Sequence, residues 1–206
     1  MKESDRTKKL AQLLRATGVL DFGEFTLTSG KTSPYYVDLR LLPSHPIEFD
    51  LAGDLMAQTI KEKEISFDSI CAVPTGGLPL GALVANKLES PLIYVRKKAK
   101  GHGEGRQIEG AFQAGDQVLV LDDLITTGGS ILEAIEELRG GGASVQDALV
   151  LLDRQEEGRK NLGEAGVTLH AAGEIGPLVE ELAGKGEISP DLKEKVFRHL
   201  QRSAER

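Results

Sequence analysis

Residues Val118 to Ser130 read VLVLDDLITTGGS, and a helical pattern follows at once through Ile131, Leu132, Ala134, Ile135 and Leu138. An apolar run ends in two adjacent carboxylates, Asp122 and Asp123, and passes into threonines, glycines and a serine. The stretch predicts a buried strand with an acidic end, then a tight turn and a helix N-terminus. Such a turn offers free backbone N–H groups and the positive end of a helix dipole, which suits a phosphate. Carboxylates only accept hydrogen bonds or attract cations, so the pair suits sugar hydroxyls or a hydrated metal. The expected ligand is therefore an anion that also carries hydroxyls.

The same rhythm extends to both sides. Upstream, the pattern predicts a strand over 70–73, a turn at Pro74-Thr75-Gly76-Gly77, a helix over 78–88 and a strand over 92–95. Downstream come strands over 148–152 and 167–170, the first preceded by a helix that stops at the glycines 140–142. Strands alternating with helices imply a parallel sheet covered on both faces. The turn at 74–77 would be a second anion-binding turn on the same carboxyl edge, where such sheets bind ligands.

Before this core, a helix is expected over 5–17, with Leu10, Leu13 and Leu14 on one face. Strands over 22–27 and 35–39, joined through TSGKTSP, read as a hairpin. Ser44 is placed to cap a helix over 46–61. Two further helices are predicted over 177–182 and 190–201. The organisation expected is a hood over 1–45, an α/β core over 46–175, and C-terminal helices over 176–206 packed on the core.

The 206 residues are 40% hydrophobic and 28% charged, which fits one sizeable globular domain with a small addition. A net charge of −7 argues against a general nucleic-acid binder. No apolar run approaches the roughly 20 residues of a membrane helix. The start, MKESDRTKK, lacks the apolar stretch of a secretory signal, so a cytoplasmic protein without membrane contact is expected. The one cysteine, Cys71, lies in SICAVP and reads as a small buried hydrophobe. No GxxxxGK[ST] occurs and GHGEG does not fit GxGxxG, which sets aside P-loop and dinucleotide sites. His45, His102, His170 and His199 are scattered, and none pairs with Cys71 at zinc spacing. His45 and His199 read as surface residues and His170 as structural.

One segment interrupts the pattern. Residues 96–110, RKKAKGHGEGRQIEG, are basic and glycine-rich in an otherwise acidic chain. Long irregular loops in compact domains are commonly lids, and a lid over an anion strengthens charge stabilisation by excluding water. His102, among glycines and cations, could donate a hydrogen bond or a proton to a phosphate oxygen.

These segments together carry a resemblance. VLVLDDLITTGGS is similar to the phosphoribosyl-diphosphate (PRPP) motif of type I phosphoribosyltransferases. FTLTSGKTSPYYVDLR (25–40) resembles the N-terminal signature of the orotate phosphoribosyltransferases, YVRKKAKGHGEG (94–105) their catalytic loop, and LLDRQEEG (151–158) their base-site strand. The resemblance implies an α/β fold with a type I phosphoribosyltransferase-like core, a parallel sheet flanked by helices, under a small hood that contains the hairpin. It implies transfer of the 5-phosphoribosyl group from PRPP to orotate, giving orotidine 5′-monophosphate and pyrophosphate in pyrimidine (UMP) biosynthesis.

Residue by residue, the resemblance implies that Asp122 and Asp123 face the ribose hydroxyls. Leu124, Ile125, Thr126, Thr127, Gly128, Gly129 and Ser130 would wrap the 5′-phosphate. Arg96, Lys97, Lys100 and His102 would hold the pyrophosphate, with Lys100 and His102 as the catalytic residues. Thr126, Arg154 and Tyr36 would face orotate, and a guanidinium fork suits its carboxylate. Mg²⁺ would arrive on substrate oxygens, with no direct protein ligand. The site would be shared across a homodimer, Lys100 and His102 reaching into the neighbour.

Two positions depart from the family pattern: Thr28 and Gly76 stand where many members carry lysines, and Lys31 is offset by three positions from the first. Two rival readings are weaker. Transfer to another base is opposed by the hairpin signature and Arg154. A PRPP-sensing regulator is opposed by the basic loop and by the lack of a helix-turn-helix candidate.

Overall fold

A computed structural model of the chain describes residues 2–26, 32–96 and 107–204. α1 (Glu3–Ala16) buries Leu10, Ala11, Leu13 and Leu14 on one face, as its spacing predicts. β1 (Leu20–Thr26) and β2 (Thr32–Val37) pair antiparallel in a sheet of their own. In β2, Ser33, Tyr35 and Val37 point inward, while Tyr36 is 37% exposed. The strand stops before the expected Leu39 because the Asp38 carboxylate accepts the Arg40 amide and starts a 3-10 helix over Leu39–Ser44. α2 (Pro46–Glu62) follows with Pro46 in its first turn. Its N-cap position is His45 rather than the expected Ser44, and no side chain caps it.

The core consists of β3 (Ser69–Ala72), α3 (Gly77–Lys87), β4 (Leu92–Val95), β5 (Ile108–Glu109), β6 (Val118–Ile125), α4 (Gly129–Gly140), β7 (Asp147–Asp153), α5 (Gly158–Glu164) and β8 (Thr168–Glu174). The sheet order is β5-β4-β3-β6-β7-β8. β4, β3, β6, β7 and β8 are mutually parallel, and only the short edge strand β5 runs antiparallel. β6 therefore lies inside the sheet, which explains its continuous apolar run.

Its side chains alternate between two cores. Leu119 and Leu121 join α1, the hairpin, α2 and α3 on one face. Val118 and Val120 join Ile131, Ile135 and Leu138 of α4 and Leu162 of α5 on the other. Cys71 is fully buried, and burial pushes its thiol up to about 12. α6 (Ile175–Gly184) and α7 (Pro190–Ala204) complete the fold. α7 packs against α6 and β2, and its Val196 and Leu200 share a cluster with Leu20 and Tyr35 of the hairpin. The C-terminal segment thus buttresses the hood as well as the core.

Candidate functional site

The carboxyl end of β6 opens into a cavity of about 580 Å³. Its walls are the turn Pro74-Thr75-Gly76, the stretch from Asp122 to Ile131, Glu133, and Arg40 from the hood. Asp122 and Asp123 are only 8% and 9% exposed, so their charge sits in a poorly solvated place. Each orients a neighbouring amide: the Asp123 N–H donates to Asp122 Oδ1 at 2.8 Å, and the Leu124 N–H to Asp123 Oδ1 at 2.9 Å. Burial raises the Asp123 carboxyl above the usual carboxylate range, and bonds from Asp122 and the Leu124 amide, with the nearby Arg40 charge, pull the other way.

Two glycines make this packing possible. A Cβ on Gly76 would run into the Asp123 carboxylate, and one on Gly77 would meet Asp122 Oδ1 at 2.7 Å. The peptide between Pro74 and Thr75 is cis. On the other side of the acidic pair, Gly128 takes φ 83°, the left-handed region that favours glycine, and α4 begins at the next residue. No side chain caps α4. The N–H groups of its first turn therefore remain available beside Thr126, Thr127 and Ser130, which line the same cavity. The acidic pair and the whole 124–130 turn are thus brought together as the sequence predicts.

Arg154 and Tyr36 do not line this cavity. Arg154 is 6% exposed, just past β7, with its guanidinium over the Tyr35 ring at 4.9 Å and its Nε 3.0 Å from Glu156 Oε1. Its Nε and Nη2 nonetheless lack a well-aligned acceptor, as does Glu156 Oε1 a donor. Burial pushes the Tyr35 hydroxyl up to about 12. The turn that holds Arg154 is built around Gln155, at φ 55°. Its side chain donates to Glu174 at 2.9 Å and accepts the Gly176 amide at 2.8 Å, while the Gln155 backbone N–H donates to Asp153 Oδ1 at 2.7 Å. These bonds offset a backbone conformation that is uncommon outside glycine.

The hood supplies a residue that the sequence did not single out. Arg40 donates from Nε and Nη2 to Asp38 Oδ1 and Oδ2 at 2.7 and 2.8 Å, and more weakly from Nη2 to the Tyr36 hydroxyl at 3.4 Å. Tyr36 stacks at a tilt on Phe25, with ring centroids 5.5 Å apart.

Arg96 lies in a recess of about 210 Å³ that shares Pro74, Ser130 and Glu133 with the main cavity. It pairs with Glu109 at 3.3 Å, and its amide donates to Gln107 at 2.7 Å. β4 and β5 thus form an antiparallel stem at the two ends of the basic segment. Lys97, Lys100 and His102, expected in the site, and Thr28 lie outside the described residues.

The other histidines sit elsewhere. His170 pairs with Asp147 at 2.7 Å, in keeping with a structural role. His199 is not a surface residue: it is half-buried and edge-on to Tyr35, with centroids 5.9 Å apart. His45 is also half-buried, its carbonyl accepting the Phe49 amide at 2.8 Å. A second cavity of about 500 Å³ lies between the hairpin and α7, but among the described residues no acidic pair or phosphate-type turn faces it.

The family model described as phosphoribosyl transferase domain matches residues 41–171. An orotate phosphoribosyltransferase of Cenarchaeum symbiosum is 40% identical over 89% of this chain and 92% of its own. The crystal structure of orotate phosphoribosyltransferase from Aeropyrum pernix is similar with a TM-score of 0.77 and 38% identity, covering 85% of this chain and 98% of that one. The orotate phosphoribosyltransferase of Mycobacterium tuberculosis H37Rv, crystallised with PRPP, is similar with a TM-score of 0.67 and 26% identity over 84% of this chain and 98% of that one.

Proposed function

The chain belongs to the phosphoribosyl transferase domain family and, within it, to the orotate phosphoribosyltransferases, and from that premise we propose how its cleft performs the reaction. The enzyme moves the 5-phosphoribosyl group from PRPP to orotate, in pyrimidine biosynthesis. The observation that carries the mechanism is the single cavity joining the buried pair Asp122 and Asp123, the uncapped start of α4 and the Pro74-Thr75-Gly76 turn. The α4 turn takes the 5′-phosphate on backbone N–H groups and the hydroxyls of Thr126, Thr127 and Ser130. The two carboxylates accept the ribose hydroxyls. The diphosphate then extends toward Pro74 and Arg96.

Departure of pyrophosphate leaves positive charge on the ribose, as in other glycosyl transfers. Buried carboxylates beside the ring favour that charge, while Arg96, Lys97, Lys100 and His102 stabilise the leaving polyanion. Arg154 orients the base. In support, its Nη2 is buried without an aligned acceptor, and such groups are uncommon unless a ligand or water completes them. A carboxylate on the base is a fitting partner. Thr126 and Tyr36 flank it.

Mg²⁺ fits this arrangement as a passenger on PRPP. Asp122 and Asp123 would be the carboxylates nearest to it, and it would supply charge neutralisation of the diphosphate. No helix among the described residues is long and apolar enough to cross a membrane. The substrates are water-soluble metabolites, and we place the enzyme in the cytoplasm.

The direct test mixes the protein with Mg²⁺, PRPP and single bases and follows loss of each base. Orotate is consumed; turnover of another base in its stead rejects the reading. We further propose a homodimer in which Lys100 and His102 serve the neighbouring site. Lys100→Ala then lowers kcat by on the order of 10²–10³, while orotate binding persists. Mixing it with Asp123→Asn restores part of the activity, since each mixed dimer keeps one intact site. Lack of complementation rejects the shared site.

A further inference from the structure

We propose that Arg40 is a diphosphate-binding residue, supplied by the hood to the end of the cleft where Gly76 stands instead of a lysine. The proposal rests on PRPP occupying the cleft. Arg40 shares the cavity wall with Pro74, Thr75, Gly76 and Asp123. Among the described residues lining that cavity it is the one basic side chain, against the carboxylates of Asp122, Asp123 and Glu133. On that balance a polyanion gains from every cation that reaches it, and Arg40 is the one that this cavity wall supplies beside Arg96 and the basic segment.

The usual route to such a cation is closed at position 76. Any side chain there meets the Asp123 carboxylate at its first carbon, so the carboxylate must move before a longer chain can fit. Arg40 reaches the same cavity from the hood instead. Its charge is felt by Asp123, whose carboxyl it draws downward against the effect of burial.

The guanidinium is also prepared for a ligand. Asp38 grips its Nε and Nη2 edge with both oxygens, at 2.7 and 2.8 Å, which fixes the plane of the fork. The Asp38 side chain is 20% exposed and held below the usual carboxylate range, chiefly by the bond from Arg40. Nη1 has no partner among the described residues. Two N–H donors on a plane already held in place can therefore meet phosphate oxygens with little rotamer entropy left to lose. The Arg40 side chain is 65% exposed, so it supports no core, and replacing it leaves the fold intact.

Titration calorimetry with PRPP and Mg²⁺, pyrophosphate and Mg²⁺, ribose 5-phosphate, and orotate tests the assignment on the full chain. Arg40→Gln weakens PRPP and pyrophosphate by about tenfold to a hundredfold, the range for one charge-assisted contact. Ribose 5-phosphate, which has the phosphate and hydroxyls but no diphosphate, binds as before, and so does orotate. Arg40→Lys recovers part of the loss, and the melting temperature of both variants stays at the wild-type value. Unchanged PRPP affinity overturns the proposal. So does an equal loss for ribose 5-phosphate, which puts Arg40 at the ribose, or a loss confined to orotate, which puts it at the base. If the wild-type chain binds no PRPP, the functional reading itself fails and this assignment falls with it.

Discussion

Arg154→Ala weakens orotate binding by on the order of 10²-fold and leaves PRPP binding in place. The same change destabilises the fold by about 1–3 kcal/mol, because it leaves the half-buried Glu156 carboxylate without its cation. Arg154 and Glu156 have side chains only 7% and 13% exposed, so solvent takes over the lost partner only in part. The two effects separate in a second variant. Arg154→Met with Glu156→Leu removes both charges, and replacing a buried pair by apolar residues commonly restores stability. Denaturant melts should therefore recover in the double variant while orotate affinity stays low. If orotate affinity recovers as well, Arg154 served only to hold the turn. If Arg154→Ala leaves orotate affinity unchanged, the residue has no part in base binding.

Asp123→Asn produces opposite effects on activity and stability. The amide keeps the size of the side chain but weakens its acceptance of ribose hydroxyls, and kcat/KM falls on the order of 10²-fold. Stability rises instead. Burial lifts the folded-state pKa of Asp123 above its ordinary 3.8. A group raised in this way favours its protonated form in the fold, so the charged form costs stability once the pH exceeds the raised value. Below the ordinary value both states are protonated and the cost vanishes. As pH climbs through the window above 3.8, the wild type loses stability that the asparagine variant keeps. Melting temperatures of the two proteins should diverge with rising pH and converge in acid. Parallel curves, or a variant less stable at neutral pH, contradict a desolvated carboxylate at this position. The pairing of lost rate with gained stability is what a site held in an unfavourable electrostatic state produces.

Much of this arrangement is legible in the chain because one-dimensional signals were strong where the sheet is most buried. The apolar run of β6, the acidic pair and the Gly/Thr turn are contiguous, so their order alone fixes their relation in space. α5 escaped notice because GRKNLGE offers Leu162 as its sole large apolar residue, and no periodicity can be read from one position. β5 spans only Ile108–Glu109, too short for any alternation. The adjacent tyrosines Tyr35 and Tyr36 had to face opposite sides of a strand. Which of them faces inward depends on the packing of α7 and Arg154 against Tyr35, and these come from the other end of the chain.

Arg40 was hidden for a similar reason. Its place at the cleft follows from the turn at Asp38 and the 3-10 helix after it, not from any motif. Arg154 shows the limit of a motif in the other direction. The sequence located it next to the end of a strand, but its burial beside Glu156 depends on the left-handed turn at Gln155, a residue type with no particular bias toward that conformation.

The contact between the backbone at Gly76 and the carboxylate of Asp123 also constrains how this protein can change over generations. The two positions are not independent characters. A lineage that holds glycine at 76 can let the acid settle against it and recruit its positive charge from elsewhere. From that point a single replacement at 76 meets an occupied space, and its effect is decided by the state of a residue 47 positions away in the chain. Placing a cation at 76 requires the neighbouring acid to relocate first, so the accessible paths depend on the order in which changes are accepted.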